Sequence, residues 1–186
     1  TTTPTPVPGY ELVQNGGFEL RTGWTLGAVA HPAAYSSAQA HAGLWSMRLG
    51  ILPPDPPIWT WSSAYQKLTL PASATRVTLR YWWRRSTEET HTYAWAEGRE
   101  NRAPAGIDAL DYTDDCQEAL LLASDYQTVL SFLARGLAND GGWVYAERDL
   151  TPWRGRTVVL YFNAYNYTDL ALRTWMYVDQ VSVWVE

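Results

Sequence analysis

The chain has 186 residues, 46% hydrophobic and 18% charged, which supports one large packed domain and excludes a disordered chain. Its formal net charge of −5 gives no general attraction to nucleic acid or anionic membrane, and no apolar run approaches the ~20 residues that cross a bilayer. One cysteine, Cys116, rules out an intrachain disulfide, and eleven Trp and twelve Tyr against three Phe favour rings that keep one edge wet or stack on a ligand.

The chain opens in Thr1-Thr2-Thr3-Pro4-Thr5-Pro6-Val7-Pro8-Gly9, an alternation that prefers extended, polyproline-like backbone. Residues 1–9 therefore read as a linker remnant and 10–186 as one folded domain. The expectation is a module of a larger exported protein, extracellular, secreted or on the cell surface, joined through this linker to other domains of the same polypeptide. Turn signals then recur at short intervals: Asn15-Gly16-Gly17, Thr22-Gly23, Pro53-Pro54-Asp55-Pro56-Pro57, Asn139-Asp140-Gly141-Gly142 and Arg154-Gly155. Between them the hydrophobic pattern has a two-residue period. Val77, Leu79, Tyr81 and Trp83 alternate with Thr78, Arg80, Trp82 and Arg84. Val158, Leu160 and Phe162 alternate with Thr157, Val159, Tyr161 and Asn163, and Trp175 to Val185 is dense in β-branched and aromatic residues.

Gln117 to Arg135 has two readings. Its Ala, Leu and Gln content suits a helix, whereas Ser124-Asp125-Tyr126-Gln127 makes a hairpin turn between strands over 118–123 and 128–133. With no repeat and no strand–helix alternation, the elements predict an all-β sandwich or barrel.

Three ordered blocks resemble the jelly-roll carbohydrate-binding modules of the galactose-binding-domain-like superfamily. They are Leu12-Val13-Gln14-Asn15-Gly16-Gly17-Phe18-Glu19 with Gly23-Trp24, then His41-Ala42-Gly43, Ser46-Met47-Arg48-Leu49 and Tyr65-Gln66-Lys67-Leu68-Thr69-Leu70-Pro71. The third joins Asp149-Leu150-Thr151 and Gly155 to Phe162 with Tyr177-Val178-Asp179-Gln180-Val181-Ser182-Val183. The resemblance implies a jelly-roll β-sandwich of two antiparallel sheets that binds carbohydrate without catalysis. A structural or protein-interaction module, accessory to a secreted protease or adhesin, is the alternative, because one fold hosts many functions. It also implies a structural Ca2+ held by Glu19 and Asp179 with carbonyls near Gly43 and Ser46, an oxygen-rich set suited to a hard cation. The alternative is that the two carboxylates only hydrogen-bond strand ends. The long Pro/Trp insert from Leu52 to Trp61 departs from the family pattern.

A sugar offers an apolar ring face edged with hydroxyls, so its site needs aromatic rings beside planar polar groups. One candidate joins Arg80, Trp82 and Arg84 to Tyr161, Asn163 and Tyr165, provided the two strands share a sheet. Otherwise Trp82 packs under a loop and the arginines reach solvent. A second is Trp59 and Trp61 after the proline-rich bend, either displayed or folded over one end of the sandwich. Tyr93 and Trp95 form a third. Catalytic patterns are absent from the sequence: Glu88, Glu89 and His91 alternate on extended backbone, Asp108, Asp111, Asp114 and Asp115 face no evident partner, and His31, His41 and His91 lack metal-ligand spacing. Trp82-Trp83-Arg84-Arg85 mixes rings with cations as nucleic-acid sites do, against the acidic balance of the chain. Asn166-Tyr167-Thr168 is a glycosylation sequon by pattern.

Overall fold

Alternation in the sequence becomes two faces in space. The structure, a computed structural model, describes residues 9–94, 114–167 and 172–186. Among the described residues twelve strands run in chain order: β1 (Tyr10–Glu11), β2 (Thr25–Leu26), β3 (Ala34–Ser36), β4 (Ser46–Gly50), β5 (Thr60–Thr69), β6 (Val77–Thr87), β7 (Tyr93–Ala94), β8 (Cys116–Ala123), β9 (Val129–Leu137), β10 (Val144–Asp149), β11 (Thr157–Asn166) and β12 (Thr174–Val185). Sheet 1 has the order β10-β6-β12-β4-β3 with β1 also on β12, and sheet 2 the order β2-β5-β11-β8-β9-β7. All pairings are antiparallel. The result is the expected jelly-roll β-sandwich.

The core lies between the sheets. Val77, Leu79, Tyr81 and Trp83 of β6 and Met176, Val178 and Val183 of β12 meet Val158, Leu160 and Phe162 of β11 and Leu121 of β8. Burial of such side chains contributes roughly 1.5–3 kcal/mol each before entropy is counted. A second, smaller cluster sits on the outward face of sheet 2, where Leu120, Leu122, Val129, Phe132 and Val159 are buried beside Tyr65 and Tyr161.

The strand reading of Gln117 to Arg135 is the one that forms, as β8 and β9. Leu121 faces the main core while Leu120 and Leu122 face the smaller cluster, so both sides of β8 are apolar and the period-two signal disappears. Asp125 closes the hairpin by accepting the Gln127 and Thr128 N–H groups, each at 2.9 Å, and the Thr128 hydroxyl at 2.7 Å. Gln117 stitches the sheets: its Nε2 lies 2.9 Å from the Ser86 carbonyl and 3.2 Å from that of Trp175, both in sheet 1.

The first sequence block locks onto the last strand. Val181 N donates to Gly16 O at 2.9 Å across a register shift between Asp179 and Ser182. A Cβ on Gly16 would fall 1.7 Å from the Val181 carbonyl oxygen, so only glycine permits the approach.

Candidate functional site

β6 belongs to sheet 1 and β11 to sheet 2. The groove joining Arg80, Trp82 and Arg84 to Tyr161, Asn163 and Tyr165 therefore does not exist: core-facing residues on both strands point inward, which turns the two predicted sets away from each other on opposite sides of the sandwich. The sets must be taken separately.

On sheet 2, antiparallel register places Ser63, Asn163, Glu118 and Arg135 side by side across β5, β11, β8 and β9. Asn163 Nδ2 donates to Glu118 Oε1 at 2.9 Å, and Arg135 Nε lies 3.6 Å from Glu118 Oε2. Asn163 and Glu118 are fully buried, and Asn163 Oδ1 has no hydrogen-bond partner among the described residues. A buried polar row outside the main core is costly unless something uses it.

Aromatic rings stand at both ends of that row. Two residues along β11 one way, Tyr165 is opposite Trp61 with ring centroids 5.3 Å apart, and Trp59 donates its indole N–H to the Tyr165 hydroxyl at 2.9 Å. Trp59 crosses Trp61 at 4.1 Å and 74°, and Tyr167 approaches Tyr165 at 6.2 Å. Two residues the other way, Tyr161 is opposite Tyr65, near-parallel at 5.8 Å, and Tyr126 sets its edge against Tyr65. Lys67 Nζ lies 4.8 Å over the Tyr126 ring. Trp59 is 48% exposed and Tyr126 41%. Between Tyr65, Tyr161, Tyr126, Ser63 and Gln127 opens a cavity of about 360 Å³. Burial pushes the Tyr161 and Tyr165 phenols up, opposed by hydrogen bonds to Ser63 and Trp59 respectively, so both remain neutral donors.

The sheet 1 set has other partners. Arg80 is paired with Glu147 at 3.0 Å, Arg84 Nη1 donates to Gln39 Oε1 at 2.6 Å, and His41 stacks on Trp82 at 4.0 Å and 15°. Trp82 packs under the loop that follows β3, one of the two placements open to it from sequence.

Glu19 and Asp179 close on that same loop. Glu19 Oε1 accepts the Leu44 and Trp45 N–H groups at 2.9 and 3.0 Å, and Asp179 Oδ2 accepts those of His41 and Ala42 at 2.7 and 3.1 Å. Ser46 donates its hydroxyl to Gln39 O at 2.5 Å. Gly43 has φ +70°, and a Cβ there would meet Glu19 Oε1 at 2.2 Å. Burial raises the Asp179 pKa against the pull of its backbone donors.

The remaining acidic residues bind locally. Glu88 grips Arg173 at 2.8 Å, and His91 Nε2 meets Asp114 at 2.6 Å, which raises the histidine pKa. Cys116 is buried, which pushes its thiol well up and away from nucleophilic use. Among the described residues no group of three His, Cys, Asp or Glu side chains is arranged to hold a metal. Both amide atoms of Asn166 are bonded to the Thr174 backbone in the interior, leaving the sequon's nitrogen inaccessible. Trp95, Asp108, Asp111, Thr168 and residues 1–8 lie outside the described residues.

Sequence reasoning missed Glu118, Arg135, Tyr65 and Tyr126. Tyr65 and Lys67 share a face by alternation, a usable signal. The link from Glu118 to Asn163 depends on strand pairing that no local pattern encodes.

No family model matches the chain, and neither does any curated protein. Solved structures do. TmCBM61, determined in complex with β-1,4-galactotriose, superposes with a TM-score of 0.57 at 14% identity over 95% of this chain and 99% of that one. The C-terminal family 22 carbohydrate-binding module of Clostridium thermocellum Xyn10B gives 0.50 at 13% identity, over 95% and 91%. The enzymatically active domain of bacteriophage CBA120 tailspike protein 4 gives 0.52 at 12%, over 95% of this chain but 21% of that one. At these identities the likeness establishes the fold: a jelly-roll β-sandwich shared with carbohydrate-binding modules.

Proposed function

We propose that this domain is a non-catalytic carbohydrate-binding module whose site is the outward face of sheet 2. The observation that carries the reading is the pairing of rings, Trp61 with Tyr165 and Tyr65 with Tyr161, on either side of the Ser63–Asn163–Glu118–Arg135 row. Tyr161 and Tyr165 are four residues apart on β11, or ~13 Å at strand rise, a span suited to an oligosaccharide and too long for a single ring. Sugar C–H faces stack on the rings, and hydroxyls exchange hydrogen bonds with the phenols and with Gln127 and Ser63. Binding is reversible and serves to hold the rest of a larger secreted protein on a polysaccharide or cell-surface glycan.

A calcium ion fits the junction of Glu19 and Asp179 by the chemistry of the donors. Two carboxylates carried by opposite ends of the chain converge on residues 41–46, with the Glu19 carboxylate packed directly against Gly43. Glu19, Asp179 and carbonyls near Gly43 and Ser46 would hold it, and the ion would supply a cross-link between the terminal segments.

The test is equilibrium binding to a panel of oligosaccharides and insoluble polysaccharides, galacto-oligosaccharides among the first. Trp61→Ala or Tyr161→Ala is expected to weaken binding by about tenfold or more while the fold persists, each ring stack contributing on the order of 1–2 kcal/mol. Failure to bind any glycan would overturn the reading in favour of a structural or protein-interaction module.

A further inference from the structure

The other face of the sandwich carries a row of different chemistry. Arg84 on β6 is opposite Tyr177 on β12, which is opposite Arg48 on β4, and Ala34 completes the row on β3. All four face outward, since Trp83, Val178 and Met47, their neighbours in sequence or register, fill the core. Two guanidiniums thus flank one phenol. The phenol feels both: burial pushes the Tyr177 pKa up while Arg48 and Arg84 pull against it.

Among the described residues neither arginine is paired with a carboxylate. The arginines on or beside sheet 1 with a described acidic partner include Arg76, Arg80 and Arg85, with Glu147 or Asp140 as partner. Asp179, on the neighbouring row, spends its oxygens on the N–H groups of His41, Ala42 and Gln180. Among the described residues Arg84 makes one side-chain hydrogen bond, to the neutral Gln39, and the buried Arg48 Nε has no hydrogen-bond partner. An arginine cannot shed its proton, so a buried, unsatisfied N–H of a guanidinium is a donor waiting for an acceptor. In a chain of net charge −5, two guanidiniums converging with no acid paired to them among the described residues is an arrangement suited to an oxyanion.

Rings border the row on both sides. Trp175 stands two residues before Tyr177 on β12, opposite Ser86 and Gly50. Trp82 stands two residues before Arg84 on β6, with His41 stacked on it, Trp143 edge-on to His41 and the exposed Tyr145 beside Trp82. Cations in the floor with apolar rings at the rim match a ligand with an acid group on an otherwise ring-shaped, hydroxylated body.

We propose that Arg48, Arg84 and Tyr177 form a second binding site, on the outward face of sheet 1, for the carboxylate or sulfate of an acidic sugar unit. The acid group accepts from both guanidiniums and from the Tyr177 hydroxyl, and the sugar ring lies against Trp175 or the Trp82–His41 pair. This site is separate from the sheet 2 face, so the domain presents two faces to a polysaccharide.

The experiment uses the Trp61→Ala variant of the whole domain, to silence the sheet 2 face, with trigalacturonate, a sulfated chondroitin tetrasaccharide and uncharged galactotriose as probes, read by calorimetry at low and high salt. At least one acidic saccharide is expected to bind while galactotriose does not, with affinity falling as salt rises. Adding Arg48→Gln or Arg84→Gln is expected to weaken it about tenfold or more, as loss of a charged hydrogen bond does. Binding by trigalacturonate alone assigns a carboxylate and by the chondroitin probe alone a sulfate. Should Arg48→Gln fail to melt cooperatively, Arg84→Gln decides. Acidic and neutral probes binding equally, or acidic binding untouched by the folded arginine variants, would overturn the site and leave the sheet 2 reading standing.

Discussion

Arg135 and Gly16 show two kinds of residue whose importance is set by neighbours far away in sequence. Arg135 is 7% exposed and faces Glu118, which is fully buried. Arg135→Leu leaves that carboxylate without its guanidinium and is expected to cost about 3–5 kcal/mol, read as a shift in the urea midpoint. Glu118→Gln keeps the hydrogen bond to Asn163 and is expected to cost less. Gly16→Ala pushes a methyl group into the Val181 carbonyl and is expected to lower stability by ~3 kcal/mol or more, at the high end for one substitution. A melting temperature within a degree or so of the parent would show that the β12 register shift yields instead. Residue roles of this sort were only half legible. Asn163 and Tyr165 announce themselves as polar and aromatic positions on an alternating strand. Arg135 looks like any arginine at the end of an ambiguous segment, because its partner is assigned by the β8–β9 register and not by spacing.

At the scale of elements, the β8–β9 hairpin holds both the ambiguity and its resolution. Leucines on successive positions 120–122 read as helix because β8 buries both faces, and periodicity carries information only when one face is wet. The turn was the better signal. Asp125 accepts three hydrogen bonds there, first among them that of the Thr128 hydroxyl, which hold its carboxyl down at about 2. A depressed folded pKa means that the turn's contribution is present above the ordinary carboxyl range near 4 and is lost as pH falls through about 2. The Gln127 and Thr128 amide resonances are expected to titrate together in that acid window, and in Asp125→Asn the window should vanish. Pairings such as β5 with β11 were invisible by contrast. Each strand was legible as a strand, yet which sheet it joined was not, and the groove expected between β6 and β11 fell with that missing step.

Across the whole molecule, the two outward faces divide the chemistry: sheet 2 offers neutral phenols and indoles around a polar row, and sheet 1 offers Arg48 and Arg84, which make no ion pair among the described residues. The jelly-roll was legible through the resemblance of the three ordered blocks to a known family, whereas the period-two pattern by itself gave only a sandwich or barrel. The Glu19–Asp179 junction belongs to this scale. Chelation is expected to lower the melting temperature of the parent domain by several degrees, as removal of any ligand specific to the folded state does, and to leave Asp179→Asn unmoved. Equal melting of the parent with and without chelator would mean that the two carboxylates act on the loop N–H groups alone.

The short strand β1 has a mechanical consequence. Tyr10 is opposite Val185 and Glu11 opposite Trp184, so the start of β1 and the finish of β12 leave the sheet from the same edge and in the same place. A load applied between residues 9 and 186 therefore meets those contacts one after another, as a zip is opened, and not all at once, as in shear. Under such a load the domain is expected to yield first at this seam, with the Gly16–Val181 link and the carboxylate clamp on residues 41–45 behind it as the next resistance.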